Sequence, residues 1–408
     1  MNAFSAWISS AAVLLTQRRL RAHATILVLC LWGVCAVDYA TPGLLDRGGN
    51  TKFQDFLPLY VSARMIEQHR ALDLYDPETT ANAVQRIAHD PAVRLPVLYG
   101  PQVGLLFVPL WNLDFLPAAL IWVAASLLLY FSCVFLIWRC CPNLRGHRGL
   151  VLLAAAAYPP LFHCFVRAQT SALVLACFTA AYLALQANRS LLAGIALGFL
   201  FFKPQFLIAI PLVLLLAQSW KMLGGLALSA AAQLLFTRMY FGSAVMHAYF
   251  NVLRYPSRWI GIAELSLAPI QMHSLRSFWT LLIPSAPLAF ALYLLTAFAT
   301  VGIASRVWRS PLPLALRYSA LLLAAVLVNP HLYIYDLLAL APALLLLADW
   351  AVANAQPRTL PVLLYLAFLL PLFGPLARWT HLQVSVVIFA ALLWTLHRNA
   401  PAQRPIFR

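Results

Sequence analysis

Residues 50–76 read NTKFQDFLPLYVSARMIEQHRALDLYD and form a polar stretch in a chain that is otherwise apolar. The 408 residues are 63% hydrophobic and only 10% charged, whereas a soluble globular protein carries about 25% charged residues. There is too little polar surface to cover a water-soluble body of this size. The apolar runs are long and lack the alternation of β-barrel strands. The composition therefore predicts an all-α, polytopic transmembrane helical bundle of about 10–12 spans.

The acidic residues are concentrated in one region. Nine of the twelve fall between Asp38 and Asp114, which includes the loop 43–114 between the first apolar run and the next. The net charge of +16 comes from short basic groups between apolar runs. That distribution is typical of orientation signals and not of a nucleic-acid surface. The seven cysteines have no CxxC spacing and lie mostly in apolar runs, so they indicate small buried side chains.

Basic residues also predict the orientation of the chain. Arg18, Arg19 and Arg21 precede the first apolar run, which indicates a cytoplasmic N-terminus and an uncleaved first span. Alternating from there, each short inner loop carries Lys or Arg, and the C-terminus is cytoplasmic. We therefore expect a cytoplasmic segment 1–24, one membrane domain 25–398 and a cytoplasmic tail 399–408. Within the domain, the loops 43–114 and 243–284 are expected on the extracytoplasmic side.

Asp55 stands at the start of a helical pattern. The apolar residues that follow have the spacing of one helix face, and they are Phe56, Leu59, Tyr60, Ala63 and Ile66. Ser62, Arg64 and Gln68 would form the polar side. The pattern predicts a helix lying along the membrane interface, with Asp55 as its N-cap.

Five motifs follow one another along the chain. They are Asp55 with the later Leu74-Tyr75-Asp76, Tyr99-Gly100-Pro101 leading to Pro109, Arg167-Ala168-Gln169-Thr170-Ser171, Lys203-Pro204-Gln205 after Gly194 and Gly198, and Asn329-Pro330-His331 leading to Tyr335-Asp336. In this order and spacing the chain resembles glycosyltransferase family 87, with Ala168 where glycine is usual. The resemblance spans roughly residues 50–340.

The resemblance implies a fold of the GT-C type and an enzyme of the plasma (inner) membrane. Members of the family use a polyprenyl-phosphate-linked sugar, typically mannose, and pass it to a glycolipid or glycan acceptor on the extracytoplasmic side. The usual general base is a carboxylate in the first outer loop, which corresponds to Asp55. The expected partners are thus the lipid-linked donor, the acceptor and the bilayer, without nucleic acid.

Other polar residues at the expected outer face are candidates for donor phosphate or substrate binding. Arg64, Arg167, Lys203 and His331 have donors suited to a phosphate. Arg167 could instead mark the membrane interface, and His331 could have a capping or interfacial role. Gln169 is either a helix cap or a sugar contact, and Asp336 either a cap or a substrate ligand. Lys203 could equally reach the interface as an anchor. Because no Asp-x-Asp pair occurs and a monophosphate donor needs no metal in many enzymes of this type, we expect neither metal nor other cofactor.

A transporter or flippase of lipids or lipid-linked sugars is the alternative function. Such a protein usually places polar groups near mid-depth of the membrane and has an inverted repeat. Neither stands out here, although the short apolar runs on either side of Lys203 are compatible with a broken helix.

Overall fold

A computed structural model describes residues 12–91, 93, 95–254, 269–354 and 359–400. Within these ranges the chain is helical, with two isolated β-bridges and no sheet, which confirms the predicted class. The named α-helices are α1 (Gln17–Tyr39), α2 (Leu57–Glu67), α3 (Pro77–Ala88), α4 (Pro101–Leu105), α5 (Phe115–Arg139), α6 (Arg148–Ala156), α7 (Pro159–Arg167), α8 (Ser171–Gln186), α9 (Ser190–Gly198), α10 (Ala209–Leu216), α11 (Trp220–Arg254), α12 (Leu275–Leu282), α13 (Ala286–Arg309), α14 (Leu314–Val328), α15 (Ala341–Ala353), α16 (Thr359–Leu369), α17 (Ala377–Thr380) and α18 (Val384–Arg398). Tighter 3-10 turns lie at Gln54–Phe56, Ala71–Tyr75, Val108–Leu110, Pro142–His147, Phe199–Phe202, Pro204–Leu207, Ile334–Leu340 and Leu370–Leu376.

Six helical stretches among the described residues are long and apolar enough to cross a membrane. A seventh results if Pro142–Ala156 and Pro159–Arg167, bent by 44°, form one span. The remaining apolar helices are shorter, and they are Ser171–Gln186, Ser190–Phe202, Pro204–Leu216, Leu314–Val328 and Val384–Arg398. The expected apolar segments are thus helical, but fewer of them than the predicted 10–12 reach full spanning length.

Helix α14 lies at the centre of the bundle. Nearly every side chain from Leu316 to Val328 is buried, as expected for a helix that is apolar on all sides. Tyr318, the bulkiest of them, donates its hydroxyl to the carbonyl of Phe178 in α8 at 2.6 Å. Outer helices such as α1 instead expose large apolar side chains, which suits contact with lipid.

Helices α9 and α11 pack backbone against backbone through glycine. A Cβ added to Gly194 would overlap the carbonyl oxygen of Met222, and one added to Gly225 would overlap that of Leu191. Small residues at such positions let membrane helices approach closely. This packing holds α9, and with it the helix break at Lys203, against α11.

Two adjacent glycines of α11 give a direct test of that packing. We expect Gly225→Ala to lower the free energy of unfolding by about 1–3 kcal/mol, because the helices must separate. Gly224→Ala is the control, because its Cβ would meet nothing within 4 Å, and we expect it to be neutral or slightly stabilising. Thermal unfolding of the two purified variants in one detergent measures both effects. Equal stability of the two would contradict the close packing.

Helix α2 is covered by protein over most of its length, so Ser62 does not lie on an exposed polar face as the pattern predicted, and its position along the membrane interface stays a prediction. All residues from Leu57 to Ala63 are buried, including Ser62, whose hydroxyl donates to the carbonyl of Pro58 at 2.6 Å. The polar side chain is thus satisfied within its own helix. Gly104 of α4 approaches closely, since a Cβ there would touch Ser62 and Ile66. The spacing of apolar residues in the sequence predicted this helix, but it did not predict which parts of the protein would cover it.

The predicted outer loop 243–284 begins with helix. Helix α11 continues to Arg254, with a break in its backbone at Gly242 (φ 82°, ψ 171°) where the apolar span was expected to end. Glycine alone adopts such a conformation readily, which explains why the helix changes direction there. Residues 255–268 of this loop, 1–11 of the N-terminal segment and 401–408 of the tail lie outside the described residues.

Candidate active site

Contacts of Lys52 and Phe53 fix the backbone that precedes Asp55. Lys52 is buried and donates its Nζ to the carbonyls of Thr41 at 2.6 Å and Gly43 at 3.1 Å. Phe53 has a left-handed backbone (φ 56°), and its ring packs edge-on against Phe165 of α7 with centroids 6.1 Å apart. Asp55 follows inside the turn Gln54–Phe56. The turn therefore lies against the end of α7, where two predicted site residues are found.

The Asp55 carboxylate binds two side chains from the turn between α7 and α8. Gln169 donates its Nε2 to Oδ2 at 2.7 Å, and Arg167 Nη1 lies 3.7 Å from Oδ1. The Asp55 side chain keeps 21% of its surface exposed and Arg167 keeps 48%. Asp55 does not cap α2 as predicted, because its carboxylate points to these partners. The result is a carboxylate that is held in place and still partly exposed.

Ala168 makes this turn possible. Its backbone is left-handed (φ 52°), and its carbonyl accepts a hydrogen bond from Nε1 of Trp122 at 2.9 Å. The reversal at Ala168 ends α7, and Arg167 and Gln169 on either side of it both reach Asp55. Glycine adopts this conformation at lower cost, which gives a physical reason for the glycine usual at this position.

Lys203 and Asp336 form a buried ion pair. Lys203 Nζ lies 2.8 Å from Asp336 Oδ1, and the two side chains are 5% and 2% exposed. The Ser171 hydroxyl donates to the same carboxylate oxygen at 2.9 Å. The pair links the helix break at Lys203, the start of α8 and the turn Ile334–Leu340. Lys203 is therefore neither a free cation nor an anchor at the interface, and Asp336 does not act as a simple helix cap.

A row of rings leads from the surface to this ion pair. His331 is exposed and meets Tyr333 edge-on with centroids 4.9 Å apart. Tyr333 stacks on Tyr335 at 5.4 Å, and Lys203 Nζ lies 5.6 Å from the centre of the Tyr335 ring. Of these three rings, only His331 was a candidate from the sequence. Tyr333 and Tyr335 follow it at intervals of two residues, and this spacing was the signal available in the sequence.

Burial governs the chemistry of Asp55. It raises the pKa of the carboxyl, while the Arg167 guanidinium and the Gln169 hydrogen bond oppose that rise. The charges of Lys203 and Asp336 act on the same carboxyl more weakly and in opposite senses. A carboxylate with a raised pKa is a stronger base. The Asp55 carboxylate can therefore accept a proton from a hydroxyl group that lies beside it.

Arg64 is not brought to this cluster. Its guanidinium lies over the ring of Tyr60, 5.6 Å from the centroid, and Nη1 is 3.5 Å from the Tyr60 hydroxyl. The backbone of His331 donates to Oδ1 of Asn329 at 2.9 Å, and its ring lies at the outer end of the row of rings. Among the described residues, no three His, Cys, Asp or Glu side chains form a group that could hold a metal ion.

Comparison with known families identifies the chain. The family model of glycosyltransferase family 87 matches residues 98–330, more than half of the sequence. The chain belongs to glycosyltransferase family 87. Searches of curated proteins and of solved structures gave no significant match. Membership in family 87 supports a glycosyltransferase, and the apolar helices make it a membrane protein.

The matched range holds only part of the site of this family 87 glycosyltransferase. Arg167, Gln169 and Lys203 lie inside residues 98–330, whereas Asp55 and Asp336 lie outside. Contacts in the folded chain join the outer two residues to the matched part. The candidate site therefore rests on contacts in the tertiary structure, and the matched range contains only some of its residues.

Proposed function

We propose that this family 87 glycosyltransferase moves a sugar, with mannose as the expected one, from a polyprenyl monophosphate to an acceptor at the extracytoplasmic face. The observation that carries the proposal is the Asp55 carboxylate, which is positioned by Gln169 and Arg167 and still partly exposed. Asp55 is the general base. In this orientation the polar turn that carries it faces away from the cytoplasm, in agreement with the basic residues before α1.

The reaction is a single displacement. The acceptor oxygen attacks the anomeric carbon while Asp55 takes its proton, and the bond from that carbon to the phosphate oxygen breaks. The lipid phosphate leaves with the electron pair, and the anomeric configuration inverts. Departure of the phosphate requires positive charge or hydrogen-bond donors. Arg167 is half exposed and His331 lies at the surface, so these two are the proposed phosphate ligands. Arg64 is less suited to this role, because its guanidinium lies over the ring of Tyr60.

The remaining predicted residues have supporting roles in this proposal. Gln169 orients the base through the 2.7 Å hydrogen bond. Lys203 and Asp336 neutralise each other and fix the walls of the site, because together they join three separate chain segments. Their own charges are then not available to bind the donor phosphate.

A transfer assay tests the proposal. Purified protein in liposomes is given labelled polyprenyl-phosphate mannose, polyprenyl-phosphate glucose or a nucleotide sugar, together with a membrane lipid extract as acceptor source. We expect a labelled product from a polyprenyl-linked donor and none from the nucleotide sugar. The helix break at Lys203 between Phe199–Phe202 and Pro204–Leu207 is also a feature of transporters. Movement of the labelled lipid across the bilayer without any covalent product would favour that alternative.

The raised pKa of Asp55 predicts how the rate depends on pH. Only the ionised carboxylate can accept a proton, so kcat/KM should fall as the pH is lowered through this pKa and level off above it. Burial should place the fall at a higher pH than an exposed aspartate would give. The Gln169 hydrogen bond lowers the pKa, so Gln169→Ala should move the fall to still higher pH.

Profiles of kcat/KM against pH for the wild type and Gln169→Ala check this expectation. Gln85→Ala is a control, because Gln85 donates to the carbonyl of Pro91 at an exposed position remote in sequence from Asp55. A profile that is unchanged by loss of Gln169 would mean that another group sets the pH dependence.

A further inference from the structure

The hydroxyl of Tyr335 has no hydrogen-bond partner among the described residues, although it lies at the edge of the site. Elsewhere in the bundle buried tyrosines satisfy this group within the protein, as the general tendency requires. Tyr130, Tyr158, Tyr293 and Tyr318 each donate to a backbone carbonyl. The Tyr335 side chain is only partly buried, and its oxygen is not among the completely enclosed polar atoms that lack a partner. A phenol in this position is available to a bound molecule.

The ring of Tyr335 is fixed, which leaves the hydroxyl as its free group. One contact is the stacked ring of Tyr333, with centroids 5.4 Å apart and planes 26° apart. Another is the ammonium group of Lys203, 5.6 Å from the ring centre. Lys203 is itself held by the buried salt bridge to Asp336. A hydroxyl on a ring held in this way is already oriented before a substrate arrives, so binding costs little conformational entropy.

The surroundings of Tyr335 favour a neutral polar ligand over an anion. The cation next to Tyr335 is Lys203, which is neutralised by Asp336 and so offers no free positive charge to a phosphate. The Asp55 carboxylate also lies within electrostatic reach of Tyr335. A sugar hydroxyl can accept a hydrogen bond from the phenol and donate one to a carboxylate. The proposed phosphate ligands are instead Arg167 and His331, whose side chains are more exposed than that of Lys203.

We propose that the Tyr335 hydroxyl binds one hydroxyl group of the transferred sugar beside Asp55 and so helps to determine which sugar is accepted. The inference rests on the proposed function, because it assumes that the sugar occupies the space next to this base. It adds a contact on the sugar itself, whereas the roles given above concern the base and the phosphate.

Tyr335→Phe tests the contact, because it keeps the ring, its stacking on Tyr333 and its contact with Lys203. With the complete donor we expect kcat/KM to fall about tenfold, the loss typical of one neutral hydrogen bond. The same assay is run with donors that each lack one ring hydroxyl. For the donor that lacks the hydroxyl bound by Tyr335, wild type and variant should react at the same rate. Tyr240→Phe, a change on an exposed side chain of α11, is the matched control and should not alter any rate.

The outcomes separate the two proposals. If the wild type reacts with no polyprenyl-linked donor, the proposed function fails and this inference fails with it. If the wild type is active and Tyr335→Phe matches it on the complete donor, only the inference is overturned. A loss of the same size with every donor, or a lowered unfolding temperature that accounts for the loss, would assign Tyr335 a structural role and also overturn it.

Discussion

Asp55→Asn is expected to lower the rate of transfer by about 10²- to 10⁴-fold while the protein still inserts and folds. This is the range that a general base contributes to a reaction. Asparagine has nearly the same shape and can still accept the hydrogen bond from Gln169, but it cannot take a proton from the acceptor. Arg167 loses its charged partner at little cost, since its side chain is 48% exposed and its Nη1 still donates to Oε1 of Gln54 at 3.4 Å. The loss should therefore appear in kcat and leave the unfolding temperature nearly unchanged.

Initial rates with a polyprenyl-phosphate sugar, measured at matched protein levels, check this prediction. Asp73→Asn is the control, because Asp73 belongs to the same polar region and pairs with Arg70 at the surface, with 38% of its side chain exposed. It should keep full activity. Normal turnover by Asp55→Asn would remove Asp55 from the mechanism and leave the family assignment untouched.

Breaking the buried pair of Lys203 and Asp336 is expected to have the largest effect on stability. Lys203→Met leaves the Asp336 carboxylate without a positive charge to balance it, although Ser171 still donates to it, in a site where its side chain is 2% exposed. Removal of one member of a buried pair typically costs about 3–5 kcal/mol. Asp336→Leu should cost a similar amount, because it leaves the Lys203 ammonium unpaired.

The double variant Lys203→Met with Asp336→Leu should recover much of that loss, since neither charge then remains buried. Unfolding of the two single variants and the double variant in one detergent gives the coupling between the two sites. Arg70→Met at the exposed pair with Asp73 is the control, and it should cost about 1 kcal/mol or less. Additive losses in the double variant would show that the two charges do not depend on each other.

The candidate residues came from two sources in the sequence. Asp55 was proposed as the base because of the family resemblance, whereas Arg167, Gln169, Lys203, His331 and Asp336 also drew attention as polar groups in an apolar chain that suit a phosphate or a sugar. The folded chain joins Asp55 to Gln169 across 114 positions and Lys203 to Asp336 across 133. Separations of this size leave no local pattern, so no spacing rule paired these residues in advance.

For Arg64 and Tyr335, the residue type suggested one role and the position of the side chain in the folded chain suggests another. Arg64 suited a phosphate by its charge, but packing of α2 directs its guanidinium over Tyr60. Tyr335 suited an apolar role by its type, but the turn that begins at Ile334 brings it next to Lys203. In both cases the direction of the side chain decided the outcome, and this direction depends on what surrounds the helix or turn.

The sequence by itself determined the all-α membrane class and the family. Both depend on sums over many residues, because apolar transfer free energies add along the chain and the motifs are recognised by their order. Only the tertiary structure decided that α2 is buried, that Lys203 is neutralised by Asp336 and that the Asp55 carboxylate stays partly exposed between Gln169 and Arg167. These properties depend on contacts between distant segments, and the free energy of such contacts is set by the packing of the whole bundle.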